Sequence, residues 1–443
     1  MNIKKPPIHR IVAHGMTVLV IEDHSLPIID FALLVRKGAG HDPVGKAGLL
    51  HIYLDMLLRG SAGLSHNEFA MRVERIGSDL DTAIGLEAAG FRGACLRQHA
   101  DETMSLLQQA MSSPSMDQNS FQQLCQEYCE NLRTERDEDD AVADLWMTDS
   151  LYEGHPFARG TGGLYKDIAN LSLDDVIACG TDFLSCPDVV FAIAGDVTAE
   201  RALAWSKDLS CIFSSGHENN RTVISNVVMH EGSHVCVIDR PGRNQAQLRL
   251  GFLHDACMGD AGLAFWLGCV AFAGTFSSPF CAEIRDKRGW SYTANGGTRR
   301  WSRFPVPLVL RSAPKVSDLR DCTLLELELL KDFCTEGPRA EHIEAARSYV
   351  LGRYPFELVN GADLLHPMID LELLGRPIEE LFDLPQRFAC LDVENVSATV
   401  RDYARSDAFV LTIVAPRSEV SPWIDDLGAR IAYHRHDEGL DRN

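Results

Sequence analysis

The sequence predicts an α+β protein made of two similar halves, each a β-sheet covered by helices. Three observations carry that prediction. Strand-like runs with alternating polarity and helix-like runs with a 3.6-residue period follow one another along the whole chain. A helix–strand unit, Leu173-Asp174-Asp175-Val176 through Phe183 to Val189–Ala194, returns as Val393-Glu394-Asn395-Val396 through Tyr403 to Phe409–Val414, at an offset of 220 residues without a gap. A shorter match sets Val73, Gly77 and Leu80 against Arg285, Gly289 and Tyr292 at an offset of 212. A repeat of that period reads as a duplicated unit, with each copy large enough to bury its own core.

The first half opens on a hairpin signal. Arg10-Ile11-Val12-Ala13, the turn His14-Gly15 and Met16–Ile21 are two short strands, and Ile28–Val35 is a third. The Gly-rich Lys37-Gly38-Ala39-Gly40 loop then feeds an apolar helix over 48–58, ended by Arg59-Gly60-Ser61. Ser65-x-x-Glu68 is a capping box, and its helix stops at Gly77. Strands follow over 79–85 and 88–96, then helices over 101–112, 117–135 and 140–152, the last preceded by the acidic stretch Asp137-Glu138-Asp139-Asp140, read as a solvated helix start. After the Gly154-His155-Pro156 break come a helix over 174–184 and a buried strand over 189–194. Phe213–Ser225 is polar and rich in Ser, Asn and Gly. It places a linker at 216–228 between an N-terminal domain (1–215) and a C-terminal domain (229–443). The second half has strands over 234–239, 245–253, 291–296 and 306–312, and helices over 261–273, 277–288, 317–335 and 339–351.

Composition narrows the setting. Of 443 residues, 45% are apolar and 24% charged, which suits a soluble globular protein. Net charge is 42 − 63 = −21, which argues against nucleic acid and anionic membranes as partners. The uncharged run Ala261–Ala282 is long enough to span a bilayer, but Gly274, Thr275, Ser277, Ser278 and Pro279 interrupt it, so it reads as a buried helix, a turn and a second helix. The 13 Cys are odd in number and irregularly spaced, and no apolar stretch follows Lys4 and Lys5. Reduced thiols and a cytoplasmic location are the expectation. Cys125 and Cys129, four apart on a helix, have no second pair at zinc-site spacing and read as packing.

The chemistry concentrates in two places. In the helix over 48–58, His51, Ile52, Tyr53, Leu54 and Asp55 occupy the five positions of an H-x-x-E-H motif. In that motif two His, four apart on one helical face, bind zinc, and the Glu between them is the general base. Only His51 is retained. Leu54 stands at the base and Asp55 at the second ligand. The segment Glu283-Ile284-Arg285-Asp286-Lys287-Arg288-Gly289-Trp290-Ser291-Tyr292 is the second place. It sets an Arg and a Tyr seven apart across a helix end, Gly289 and the start of a strand.

With these segments in order, the chain resembles the pitrilysin-type (inverzincin) zinc peptidases, in the two-domain branch of bacterial and mitochondrial-processing-type members. Lys46–His51, Met56–Ser61, Leu151–Phe157 with Gly162, Ala194–Val197 and Phe276–Tyr292 carry the resemblance, which covers nearly the whole chain. It implies two homologous α/β-sandwich domains, a mixed or antiparallel sheet covered by helices in each, together forming half of a clam-shell peptidase. It further implies a third zinc ligand, a Glu about 75 residues past the second His. Here that count reaches Asn131. Glu127 and Glu130 are the nearby carboxylates that a rearranged site would recruit. In two-chain members one subunit brings the zinc and the other an Arg/Tyr pair that holds the substrate backbone and the tetrahedral intermediate. The matching positions are Arg285 and Tyr292. The resemblance therefore implies a non-catalytic subunit with no metal of its own, paired with a homologous subunit that carries zinc on an intact H-x-x-E-H and acting on unfolded peptides. The family's mitochondrial non-catalytic subunit carries a Gly-rich loop, and only Phe272-Ala273-Gly274-Thr275 stands for it here. Two rival expectations are a scaffold protein of the same fold and a self-sufficient peptidase with a rearranged site.

Overall fold

The computed structural model describes residues 6–61, 63–213, 223–358 and 361–435. Residues 216–222 of the expected linker lie outside them, and 223–228 have no regular structure. The first half contributes β1 (Ile8–Ala13), β2 (Met16–Glu22), β3 (Ile28–Val35), β4 (Asp79–Ile84), β5 (Ala89–Leu96) and β6 (Val189–Gly195). They form one sheet in the order β1-β2-β6-β3-β5-β4. The second half contributes β7 (His234–Asp239), β8 (Gln247–His254), β9 (Asn295–Gly297), β10 (Val306–Ser312), β11 (Val410–Ala415) and β12 (Arg430–Arg435), in the order β12-β7-β11-β8-β10-β9.

The two orders are the same topology. Strand β6 runs parallel to β2 and antiparallel to β3, and β11 runs parallel to β7 and antiparallel to β8. These central strands are apolar at nearly every position because both faces are covered. Only the outermost strand differs: β1 pairs antiparallel with β2 through the His14-Gly15 turn, whereas β12 pairs parallel with β7. The 212-residue match also holds in the backbone. Gly77 (φ 62°) and Gly289 (φ 65°) both take the left-handed conformation where a helical segment ends, a position that favours glycine.

Packing does not follow the chain in the simple way that a cut at 216–228 suggests. One compact unit comprises residues 1–132, 159–224 and 355–381; the other comprises 133–158, 225–354 and 382–443. Each sequence half thus gives up one helix. Asp139–Leu151, from the first half, packs on β8 and β11. Gly361–Leu374, from the second, packs on β2, β3 and β6. These helices stand 222 residues apart (361 − 139), the repeat period again.

Ion pairs hold both exchanged helices. Arg249 on β8, with its side chain 1% exposed, reaches Asp144 Oδ1 at 2.6 Å and Asp140 Oδ1 at 2.5 Å. Arg240 and Arg243 reach the two oxygens of Asp139 at 2.9 and 2.8 Å. Asp137, Glu138 and Asp140 are exposed, as a solvated helix start requires, but Asp139 and Asp140 are also partners for arginines of the second sheet. On the first sheet, Arg10 of β1 forms a fork with Glu372 at 2.7 and 2.8 Å, and Asp23 accepts from the Gly361 amide at 3.2 Å.

Two further corrections concern the second half. The strand expected over 291–296 is reduced to Asn295–Gly297. Ser291 is pinned by the Ala313 amide, which donates to its hydroxyl at 2.8 Å, and Tyr292 lies in a turn instead of at a strand start. The helices over 261–273 and 277–288 both finish in widened turns with π-type winding, at Val270–Gly274 and Ala282–Lys287. The apolar run over 259–287 is long and apolar enough to cross a membrane, and 61% of its most apolar window is buried inside this fold.

The helix that carries His51, Leu49–Leu57, is fixed at its start. Gly48 has φ 95°, and a Cβ there would come within 3.0 Å of Ile168. Asp42, almost fully buried, accepts from the amides of Gly48 (2.8 Å) and Leu50 (3.1 Å), capping the helix from a distance in sequence.

Two predictions follow from these contacts. Arg249→Ala should lower unfolding stability by about 3 kcal/mol in urea, the low end for breaking a buried ion pair because both Asp partners keep contact with water; Asp140→Asn should cost markedly less. The second concerns Asp42, whose carboxyl burial pushes up to about 6 from an ordinary 3.8, against the lowering effect of the Gly48 and Leu50 amides. A carboxyl raised on folding stabilises most when protonated. Its contribution is therefore full below pH 4 and is lost as pH rises from about 4 to 6, by up to ~3 kcal/mol at about 1.4 kcal/mol per pKa unit. Asp42→Asn should flatten that part of a stability–pH curve.

Candidate functional site

On the exposed side of the Leu49–Leu57 helix, His51 and Asp55 share one face, as their spacing of four requires. Leu54, at the general-base position, points the other way and is fully buried in the first core with Ile52 and Met56. The Asp55 carboxylate is already satisfied. Thr82 on β4 donates its hydroxyl to Oδ1 at 2.8 Å, and Tyr128 donates its phenol to Oδ2 at 2.5 Å. Burial, and then the Asp55 carboxylate, push the Tyr128 phenol far above its ordinary range, so it remains protonated and a donor. His51 stands edge-on to the Tyr128 ring, with centroids 5.0 Å apart. Burial pushes its imidazole below the usual value, and its Nδ1 is buried without a hydrogen-bond partner.

Tyr128 comes from the helix Gln118–Glu135, the one on which the third ligand was expected. Asn131 is exposed there, and the side chain that reaches Asp55 is Tyr128. Each nearby carboxylate has partners of its own. Glu127 forms an ion pair with Arg59 and accepts from Gln123 at 3.0 Å, and Glu130 accepts from Gln126 at 2.8 Å. Tyr128 and Thr82 escaped the sequence reading. The available signal was the stripe Phe121, Leu124, Cys125 and Tyr128, which turns Tyr128 toward the sheet.

This donor set does not fit a catalytic zinc. Such a site takes three protein ligands and an open position. Here there is one imidazole, one carboxylate with both oxygens engaged, and a phenol that donates to that carboxylate. Among the described residues no three His, Cys, Asp or Glu side chains lie together so as to hold a metal ion.

In the other compact unit, Arg285 lies in the widened turn Ala282–Lys287. Its Nε donates to Asp286 Oδ1 at 2.8 Å, and its Nη2 donates to Asp286 Oδ2 at 3.2 Å and to the Phe276 carbonyl at 3.1 Å. Its guanidinium also lies 4.5 Å from the centre of the Phe276 ring. Tyr292 is 86% exposed, in the turn that follows Gly289. Phe276 is 75% exposed. Arg285, its side chain 18% exposed, and Phe276 thus form a cation–aromatic pair, and the Tyr292 phenol is open to solvent.

Comparison with known proteins accords with both units. Residues 17–161 match the family model of insulinase (peptidase family M16), and residues 170–350 match that of the peptidase M16 inactive domain. The chain is 18% identical over 410 residues to the non-peptidase homolog YmxG of Helicobacter pylori, covering 91% of this chain and 92% of that one. It is 19% identical to the uncharacterized zinc protease YmxG of Bacillus subtilis, covering 91% and 97%. The solved structure of a peptidase M16 inactive domain from Pseudomonas fluorescens superposes with a TM-score of 0.85 at 21% identity, covering 93% of this chain and 98% of that one. A protease from Helicobacter pylori gives 0.81 at 17%, covering 93% and 100%. The chain belongs to the peptidase M16 family, as a member whose metal helix has kept His51 and lost the other side chains that hold and use zinc.

Proposed function

We propose that this chain is the non-catalytic subunit of a two-chain zinc peptidase. In this reading a homologous partner carries zinc on an intact H-x-x-E-H, and this chain supplies Arg285 and Tyr292 to a composite site that degrades or trims unfolded peptides. The observation that carries the reading is the contrast between the two units. At the metal position Asp55, Thr82 and Tyr128 are bonded to one another, while Tyr292, seven residues past Arg285, is open to solvent. An arginine fork holds a peptide carbonyl or carboxylate, and a tyrosine hydroxyl donates to a developing oxyanion. Strand β4, at the edge of the first sheet and beside Asp55, offers an unpaired backbone to an extended peptide. The chain needs no metal of its own for this role, and its acidic surface favours neither nucleic acid nor anionic membrane as a partner. A reducing, cytoplasmic setting is part of the same reading.

A scaffold role is the second reading. One observation favours it: Arg285 already directs its Nε and Nη2 at Asp286 and the Phe276 carbonyl. The two readings separate in an assay of this chain mixed with a zinc-bearing homologue. If the site is composite, Arg285→Ala lowers kcat/KM for an unfolded peptide about 100-fold and Tyr292→Phe about 10-fold or more, within the range for removing one oxyanion donor or its neighbour. If the chain is a scaffold, both variants match the wild type.

A further inference from the structure

Three elements meet at one carboxylate. Asp55 sits on the Leu49–Leu57 helix, Tyr128 on the Gln118–Glu135 helix and Thr82 on edge strand β4. Their side chains form a continuous chain, Thr82 Oγ1 to Asp55 Oδ1 at 2.8 Å and Asp55 Oδ2 to Tyr128 OH at 2.5 Å. Beyond it, among the described residues, β4 is bonded on one side only, to β5 in the register Asp79↔Ala94 to Ile84↔Ala89. Its side chains are exposed or half-buried at all six positions. Leu80 and Ile84 pack half-buried against the core, and the Thr82 hydroxyl adds a polar tie between them.

We infer that the Thr82–Asp55–Tyr128 chain is a metal-independent clasp that ties edge strand β4 to both helices, in the place where the donor set no longer fits a metal. Asp55, Tyr128 and Thr82 are then positioning residues. They fix the edge that receives an extended peptide, a last step that rests on the proposed function. The clasp itself does not rest on it.

The clasp has a local signature. In amide hydrogen exchange on the full-length chain, Tyr128→Phe and Thr82→Val should each speed exchange of the β4 amides bonded to β5 by about tenfold, the size of one charge-assisted hydrogen bond. The β1–β2 hairpin should change less than about twofold. Thr82→Ser, which keeps the hydroxyl, should restore wild-type exchange. EDTA or added zinc should leave the wild-type pattern unchanged. Unchanged β4 exchange in Thr82→Val overturns the clasp, as does faster wild-type exchange in EDTA. If Tyr128→Phe loosens the whole unit, Thr82→Val decides alone. In the mixture with a zinc-bearing homologue, Thr82→Val should raise KM for an unfolded peptide at unchanged kcat, and Thr82→Ser should rescue it. A mixture that cleaves nothing removes the peptide role and leaves the exchange result to judge the clasp.

Discussion

A carboxylate on an otherwise apolar helix must find donors, and at Asp55 that requirement shapes the surroundings. The Leu49–Leu57 helix buries Leu49, Leu50, Ile52, Tyr53, Leu54, Met56 and Leu57, so its one open face is narrow. An ionised group left unpaired there costs several kcal/mol. Thr82 and Tyr128 meet the demand from two other elements, which fixes how the helix, the edge strand and the Gln118–Glu135 helix pack. With Asp55 so held, the face offers one imidazole and one carboxylate, short of the three protein ligands of a catalytic zinc.

The same logic, charge placed where only a specific partner satisfies it, governs the exchanged helices. Arg249 is buried in the second sheet and finds its carboxylates on a helix from the first half of the sequence. Arg10 finds Glu372 on a helix from the second half. Each sheet therefore completes its covering only when the distant segment arrives. The two repeats, alike in strand order, are also mutually dependent in packing.

Much of this was legible in the sequence. The strands of the first sheet, the capping box at Ser65 and the 220-residue repeat rest on local periodicity and short-range turn chemistry, and they appear in the structure. What escaped was what depends on contacts distant in sequence. The helices Gly361–Leu374 and Glu380–Cys390 contain Pro367 and Pro385, residues that signal a break when read locally. The arginine partners of Asp139 and Asp140 lie about 100 residues on, so the stretch gives no local sign of these ion pairs. At the site, the degenerate motif was plain from His51, Leu54 and Asp55. A spacing count, however, reaches Asn131, and only the helix's rotation brings Tyr128 to Asp55. The spacing of Arg285 and Tyr292 was plain in the sequence, but the contacts of Arg285 with Asp286 and Phe276 were not.

In the proposed role, this member of the M16 family acts on peptides only through a zinc-bearing partner and has no metal centre of its own. The most direct test measures zinc stoichiometry and peptidase activity together on the purified chain, after equilibration with zinc and removal of excess. The account predicts a zinc-to-protein ratio near zero and no cleavage of an unfolded peptide. One zinc per chain, lost along with cleavage in His51→Ala, would contradict it.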